Sequence, residues 1–186
     1  ELSPQAEAAI EKGLRFLVKD QNPDGSWGKR YPSAITGLAM MAFMLKGHFP
    51  DRPPHGEVVG KGLDFLLAEN RQRHGLMSGG DRSMYEQGLA TLALSEAWGM
   101  SGRRNPELRQ GLKLAVDVII RAQTKRDGSK NDGGWRYDPQ PGDADLSHSV
   151  MLLMALASAQ EAGILVPDDT MTRAVASTAA ARSRVA

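Results

Sequence analysis

Two kinds of hydrophobic pattern alternate along the chain, and both are helical. In residues 4–20 the apolar side chains of Ile10, Leu14 and Leu17 form one stripe with charged residues opposite, which is typical of a helix on the surface of a core. Residues 34–43 are apolar nearly all round, which indicates a helix buried between other helices. The whole pattern predicts an all-α fold with helices near 4–20, 33–47, 57–71, 84–99, 106–123, 146–162 and 168–183.

A longer frame recurs three times at intervals of about 50 residues, as it does in repeat proteins. The complete frame has a basic residue, a small residue, two apolar residues, a glutamine and a glycine–x–tryptophan turn. The second and third copies keep the spacing but replace some of these residues. The glutamine and tryptophan places are occupied by Gln21 and Trp27, by Asn70 and Met77, and by Gln123 and Trp135.

Each copy pairs an amphipathic helix with an apolar one, so we predict α/α hairpin repeats with an outer and an inner layer. The 186 residues make about three and a half such repeats in a single domain, residues 1–186. Glutamines at the helix ends can donate to unpaired carbonyls and accept from N–H groups of the next helix. We expect Trp27 and Trp135 to cover the neighbouring outer helix. We expect Gly13 and Gly62 to allow helices to approach closely.

The frame in residues 12–27 closely resembles the QW motif of squalene–hopene cyclases and oxidosqualene cyclases. The alternation of outer and inner helices also resembles the β subunits of protein prenyltransferases. The resemblance covers residues 4–186 and implies a partial α/α toroid, whose inner helices surround an apolar cavity for an isoprenoid-type ligand. Because a closed toroid of this family has more repeats, we expect the chain to belong to a longer protein or to complete itself as a homo-oligomer.

In the cyclases that the chain resembles, the proton donor lies in an Asp-x-Asp-Asp motif at the start of an inner helix. The nearest match, Asp143-Ala144-Asp145-Leu146, keeps two of the three acids, so the complete acid motif is absent from this chain. Asp145 is either a proton donor or the N-cap of the helix over 146–162. Glu86 and His148 hold equivalent places in their inner helices. They are either an acid/base pair across the cavity mouth or two polar helix starts that face solvent or each other.

Composition excludes several kinds of chemistry. The chain has no cysteine, which excludes a disulfide, a thiolate nucleophile, the Asp/Cys/His zinc site of the prenyltransferases and the thioester of complement-type toroid domains. The net charge of +1 gives no electrostatic case for nucleic acid, and no apolar run is long enough to span a membrane. We predict no cofactor and no metal, and the loop Asp127–Asp132 is either a calcium-type loop or a plain turn.

Two functions fit these features. The first is a cyclase- or prenyltransferase-like repeat domain that binds an apolar, isoprenoid-type ligand on the concave face of the inner helices. If the chain is catalytic, part of the site is then supplied from outside it. The alternative is a non-catalytic repeat scaffold for a protein or glycan. A glycan-degrading toroid would use acids at one end of the inner layer, here Asp81, Glu86, Asp143 and Asp145.

Overall fold

The computed structural model describes residues 2–50, 52–78 and 83–182. Within these ranges the chain is all-α, with seven helices and no strand. Every predicted helix is present, and its ends lie within two residues of the predicted ones, apart from residue 183, which lies outside the described residues. The helices are α1 (Pro4–Asp20), α2 (Pro32–Leu45), α3 (Gly56–Gln72), α4 (Ser83–Met100), α5 (Pro106–Ala122), α6 (Leu146–Glu161) and α7 (Asp168–Arg182).

Local sequence determines several of these helix starts. The Ser3 hydroxyl accepts the N–H of Ala6 at 3.2 Å, and Pro4 takes the first helical position of α1. Asn105 caps α5 in the same way, again with a proline directly after it. Both caps satisfy N–H groups that have no partner within the helix. At the other end of α2, Gly47 has a φ of 82° and stops the helix.

The helices form two layers. The inner helices α2, α4 and α6 lie side by side, with α4 in the middle, and the outer helices α1, α3, α5 and α7 pack behind them. Small residues allow the inner helices to approach closely: a Cβ added at Gly37 of α2 would lie 2.9 Å from the carbonyl oxygen of Leu89 in α4. Each inner helix contacts the outer helix that follows it more extensively than the one that precedes it.

Each of α1, α3 and α5 ends in a turn that packs on the next outer helix. We term residues 21–27, 70–77 and 123–135 the docking turns. Each docking turn contains a glycine with a positive φ, and a Cβ there would lie 2.1–2.4 Å from a backbone oxygen of the next outer helix. Only glycine fits, because both the backbone conformation and the close approach exclude a side chain. The glycine and backbone pairs are Gly25 with Lys61, Gly75 with Leu114, and Gly133 with Arg173.

The amide side chain of each docking turn reaches the same place on the next helix. Nε2 of Gln21 donates to the carbonyl of Gly25 at 3.0 Å and to that of Val58 in α3 at 2.9 Å. Gln123 repeats this pattern toward Gly133 and Thr170. Asn70, which is shorter, reaches only the carbonyl on the next helix, that of Gly111. The three docking turns therefore make one repeated contact.

The prediction for the glutamines is wrong in its details. Gln21 donates to its own turn and to the following helix rather than to free carbonyls at the end of α1. Gln123 accepts no N–H, since its Oε1 has no partner among the described residues. The backbone at Gln21 turns to an extended conformation, with ψ at 128°. This turn carries the side chain away from α1 toward α3.

The tryptophan of the first docking turn packs on the next outer helix, as predicted. Trp27 is 1% exposed, and its indole N–H donates to the carbonyl of Leu17 at 2.8 Å. Its ring lies against Gly62 of α3, where an added Cβ would be 3.0 Å from Cζ3. The prediction for Gly62 is therefore confirmed. The prediction for Gly13 is wrong, because nothing lies within 4 Å of an added Cβ at that position.

None of the helices in the described ranges combines the length and the apolar character that crossing a bilayer would require.

Candidate functional site

The first turn of each inner helix is held in register by its docking turn. The N–H of Trp27 donates to the hydroxyl of Thr36 in α2, and the N–H of Trp135 donates to that of Ser149 in α6. In α4 the side chain of Gln87 accepts the equivalent N–H from Met77. The residues directly before these acceptors are therefore structurally equivalent. They are Ile35, Glu86 and His148.

The structure buries two of these equivalent positions and exposes the third. Ile35 is 38% exposed, whereas Glu86 is 2% and His148 is 1% exposed. Two polar side chains are thus buried at the starts of α4 and α6. The hypothesis that these two helix starts face solvent is therefore wrong, while the form of it in which they face each other stays a prediction.

Asp145 is the N-cap of α6. Of its two predicted roles, N-cap and proton donor, the first is confirmed. Its carboxylate accepts the N–H of Ser147 at 2.9 Å and that of His148 at 3.3 Å. The same oxygen lies 3.0 Å from Nδ1 of His148. Hydrogen bonds from the Ser147 hydroxyl and from His148 hold the pKa of Asp145 well below its usual range. The residue is therefore an ionised acceptor at neutral pH, which does not favour the role of proton donor.

His148 lies between two tyrosine rings. The ring centroids of Tyr85 and Tyr137 are 4.1 and 4.5 Å from that of the imidazole, both edge to face. A carboxylate facing Nδ1 favours the tautomer with hydrogen on that nitrogen and a free lone pair on Nε2. Nε2 is buried and has no partner among the described residues. The Asp145 carboxylate thus fixes the imidazole ring, and Nε2 is left as a buried hydrogen-bond acceptor.

Glu86 caps a helix other than its own. Tyr31, at the N-cap position of α2, has a φ of 58° and provides no side-chain cap. The carboxylate of Glu86 instead accepts the N–H of Ser33 at 3.2 Å and the hydroxyl of Ser78 at 2.8 Å. Burial raises the pKa of Glu86, while these hydrogen bonds and one from the N–H of Ala34 act in the opposite direction. The carboxylate thus joins the second repeat to the first.

The structure brings Asp145 and His148 together and places Glu86 against α2. In the part of the chain that is described, Glu86 and His148 share neither a hydrogen bond nor an ion pair. Tyr85 links their surroundings, since it precedes Glu86 in α4 and its ring contacts His148. The direct pair between Glu86 and His148 stays a prediction. Sequence reasoning missed the two tyrosines, but the three-residue spacing of Asp145 and His148 at a helix start could have indicated their contact.

Apolar side chains remain exposed along the inner helices. One cleft of about 260 Å³ between α2 and α4 is lined by Ile35, Leu38, Tyr85 and Leu89, with Glu86 at its edge. A second, of about 280 Å³, follows along the same two helices and reaches Met154 of α6. The exposed large apolar residues of the inner helices are Ile35, Leu38, Leu45, Met100, Leu146, Val150 and Met154.

A polar cleft of about 550 Å³ lies on the other side of Glu86, between the first docking turn and α3. Its charged side chains have both signs and include Lys29, Arg73 and Glu69. Glu86 thus separates a polar cleft from an apolar one. Of the other acids considered for glycan chemistry, Asp143 pairs with Arg136, and Asp81 lies outside the described residues.

Two carboxylates of the loop Asp127–Asp132 pair with an arginine of α7. The guanidinium of Arg173 lies 2.6 Å from a carboxylate oxygen of Asp127 and 3.0 Å from both oxygens of Asp132. Asp132 also accepts the N–H of Arg126 at 2.8 Å. The loop therefore directs two of its carboxylates toward α7, an arrangement that favours the plain turn over the calcium-type loop.

A scan against protein-family models and a search of curated proteins returned no match for this chain. The functional argument therefore depends on the geometry of the residues above.

The cap at Asp145 makes a testable prediction. Asp145→Ala should lower the free energy of unfolding by about 1–2 kcal/mol, while Asp145→Asn should cost less than about 1 kcal/mol, because asparagine also caps helices. Urea unfolding followed by circular dichroism measures both. Equal losses for the two variants would contradict a capping role.

The difference in unfolding free energy between the chain with Asp145 and the Asp145→Asn variant should depend on pH. Folding lowers the pKa of Asp145, so its ionised form stabilises the fold above the unfolded-state pKa of about 4. This contribution is lost as the pH falls through the lower pKa of the folded state. The advantage of aspartate over asparagine should therefore be present at pH 7 and disappear in acid.

Proposed function

We propose that this chain is a repeat domain of the squalene cyclase and prenyltransferase type, and that it binds an apolar, isoprenoid-type ligand on its inner-helix face. The observation that carries the proposal is the row of exposed apolar residues on α2, α4 and α6. Apolar residues that are exposed side by side often mark a binding site. The ligand would lie along the clefts between α2 and α4.

The proposed architecture is a partial α/α toroid of about three and a half hairpins. Two features support it. The inner helices form one layer behind which the outer helices pack, and the docking turns repeat one contact between successive outer helices. A regular contact of this kind adds each repeat to the last in the same orientation.

The chemistry of the clefts favours a hydrocarbon chain over a glycan. The clefts along α2 and α4 are lined mainly by leucine, isoleucine and methionine. Tyr31 and Tyr85 are their aromatic residues, and Glu86 and Glu96 are their acids. Glycan sites need several polar groups that converge on sugar hydroxyls. A branched, flexible hydrocarbon needs only apolar contact, which these side chains provide.

Proton chemistry in such a site would depend on the polar groups at the starts of the inner helices. One candidate is His148, which Asp145 positions through Nδ1 and which contacts Tyr85, a residue that lines the apolar cleft. Glu86, at the edge of the apolar cleft, is the second candidate. Since the complete acid motif is absent from this chain, we propose ligand binding as the function and assign no reaction.

Leu38→Gln should weaken the binding of all-trans-farnesol or squalene by about tenfold. Leu38 is 46% exposed in the apolar cleft, and burying a leucine side chain contributes about 1.5–3 kcal/mol. Equilibrium dialysis with radiolabelled farnesol measures the change. Phe16→Gln is the matched control, because Phe16 is exposed on the outer helix α1 and should have no effect on binding.

Lipid extraction and mass spectrometry of the purified chain provide an independent test. A co-purified isoprenoid that Leu38→Gln displaces and Phe16→Gln retains would support the proposal. Absence of farnesol and squalene binding, or equal binding by both variants, would overturn it in favour of the protein or glycan scaffold.

A further inference from the structure

The outer helix α1 has the same acceptor surface that α3, α5 and α7 use, but none of the described residues covers it. In the three later helices a backbone carbonyl accepts the side-chain amide of a docking turn. Four residues further along, a small residue is buried beneath the turn. The carbonyls are those of Val58, Gly111 and Thr170, and the small residues are Gly62, Ala115 and Ala174.

The equivalent positions in α1 are Ala9 and Gly13, and both are exposed. Lys12 corresponds to Lys61, whose backbone carbonyl packs against Gly25 of the first docking turn. Phe16 is 62% exposed, whereas its counterpart Phe65 is partly buried against the core. We term Ala9, Lys12, Gly13 and Phe16 the α1 acceptor face.

Gly13 has no structural explanation within this chain. A glycine inside a helix costs roughly 0.5–1 kcal/mol relative to alanine. At Gly62 close packing explains the glycine, because Trp27 and Met40 lie 3.0 Å from an added Cβ. At Gly13 nothing lies within 4 Å. A tryptophan packed on α1 would require a small residue at this position, as Trp27 does on α3.

We propose that the α1 acceptor face binds the docking turn of a further two-helix repeat that precedes α1 in the same polypeptide. In all three contacts of this kind the turn comes from the repeat that precedes the outer helix in sequence. A second copy of this chain has no turn to offer, because its three docking turns are already packed on α3, α5 and α7. The partner is therefore a repeat with a glutamine–x₃–glycine–x–tryptophan turn.

Adding such a repeat tests the proposal. A copy of residues 4–52 is fused directly ahead of Pro4, so that its Gln21 lies 37 residues before Ala9, the spacing between Gln21 and Val58. Hydrogen exchange of α1 should slow at least tenfold compared with the parent chain. Gly13→Leu in the original α1 should restore the parent rate in the extended chain, while in the parent chain it should leave exchange unchanged or slower.

A second variant separates docking from general stabilisation. Gln21→Ala in the added copy removes only the amide contact and should partly reverse the slowing. Unchanged exchange of α1 in the extended chain, or no effect of Gly13→Leu there, would overturn the proposal.

Sedimentation equilibrium of the parent chain tests whether a second copy binds instead. A dimer that Gly13→Leu dissociates would show that a second copy is the partner and would also overturn it. All these readouts are independent of farnesol binding.

Discussion

Trp27→Ala should lower the free energy of unfolding by about 3–5 kcal/mol, as truncations of large buried aromatics do. The side chain is 1% exposed, contacts Gly62 of the next outer helix and donates its indole N–H to Leu17. Its loss would leave a cavity at the joint between the first two repeats and an unpaired carbonyl in α1. Urea unfolding monitored by circular dichroism measures the change.

Phe16→Ala is the control for this substitution, because Phe16 is 62% exposed on the same outer helix. It should cost less than about 1 kcal/mol. A loss below about 1 kcal/mol for Trp27→Ala would mean that the tryptophan does not hold the first two repeats together.

Gly25→Ala should lower the free energy of unfolding by roughly 3 kcal/mol. The positive φ of 88° is strained for alanine, by about 1–2 kcal/mol. The added Cβ would also lie 2.3 Å from the carbonyl oxygen of Lys61, and overpacking of this kind adds about 1–3 kcal/mol. The docking turn would have to move away from α3, so the contact between Gln21 and Val58 should weaken with it.

Gly128→Ala separates these two effects. Gly128 also has a positive φ, of 74°, but nothing lies within 4 Å of an added Cβ. It should cost only the strain of the left-handed conformation, about 1–2 kcal/mol. Equal losses for Gly25→Ala and Gly128→Ala in urea unfolding would show that close docking on α3 contributes nothing.

Sequence alone predicted the helices and the repeat because both depend on local signals. The stripe through Ile10, Leu14 and Leu17 predicts α1, and Ser3 and Asn105 start their helices with caps that the next few residues complete. The spacing of the repeated frame also predicted that Glu86 and His148 are equivalent. Each of these features depends on residues that are close in sequence.

Features that depend on neighbours far along the chain were not predicted. The amide of Gln21 bonds to Val58, 37 residues later, because the backbone after α1 turns outward. Glu86 accepts the N–H of Ser33 at the start of α2, which has no side-chain cap of its own, and no residue near Glu86 in sequence indicates this contact. Gly13 and Gly62 occupy the same place in the frame, but only Gly62 has a docking turn above it.

The tryptophans of the chain lie at distinct places along the array of repeats. Trp27 and Trp135 lie in the first and third docking turns, while the second has Met77. The remaining tryptophan, Trp98, is 5% exposed in α4, and its indole N–H donates to Ala162 directly after α6. Chains that keep a single tryptophan would therefore carry an intrinsic optical probe at either end of the array or in its middle. Such probes can reveal whether the repeats melt together or one after another.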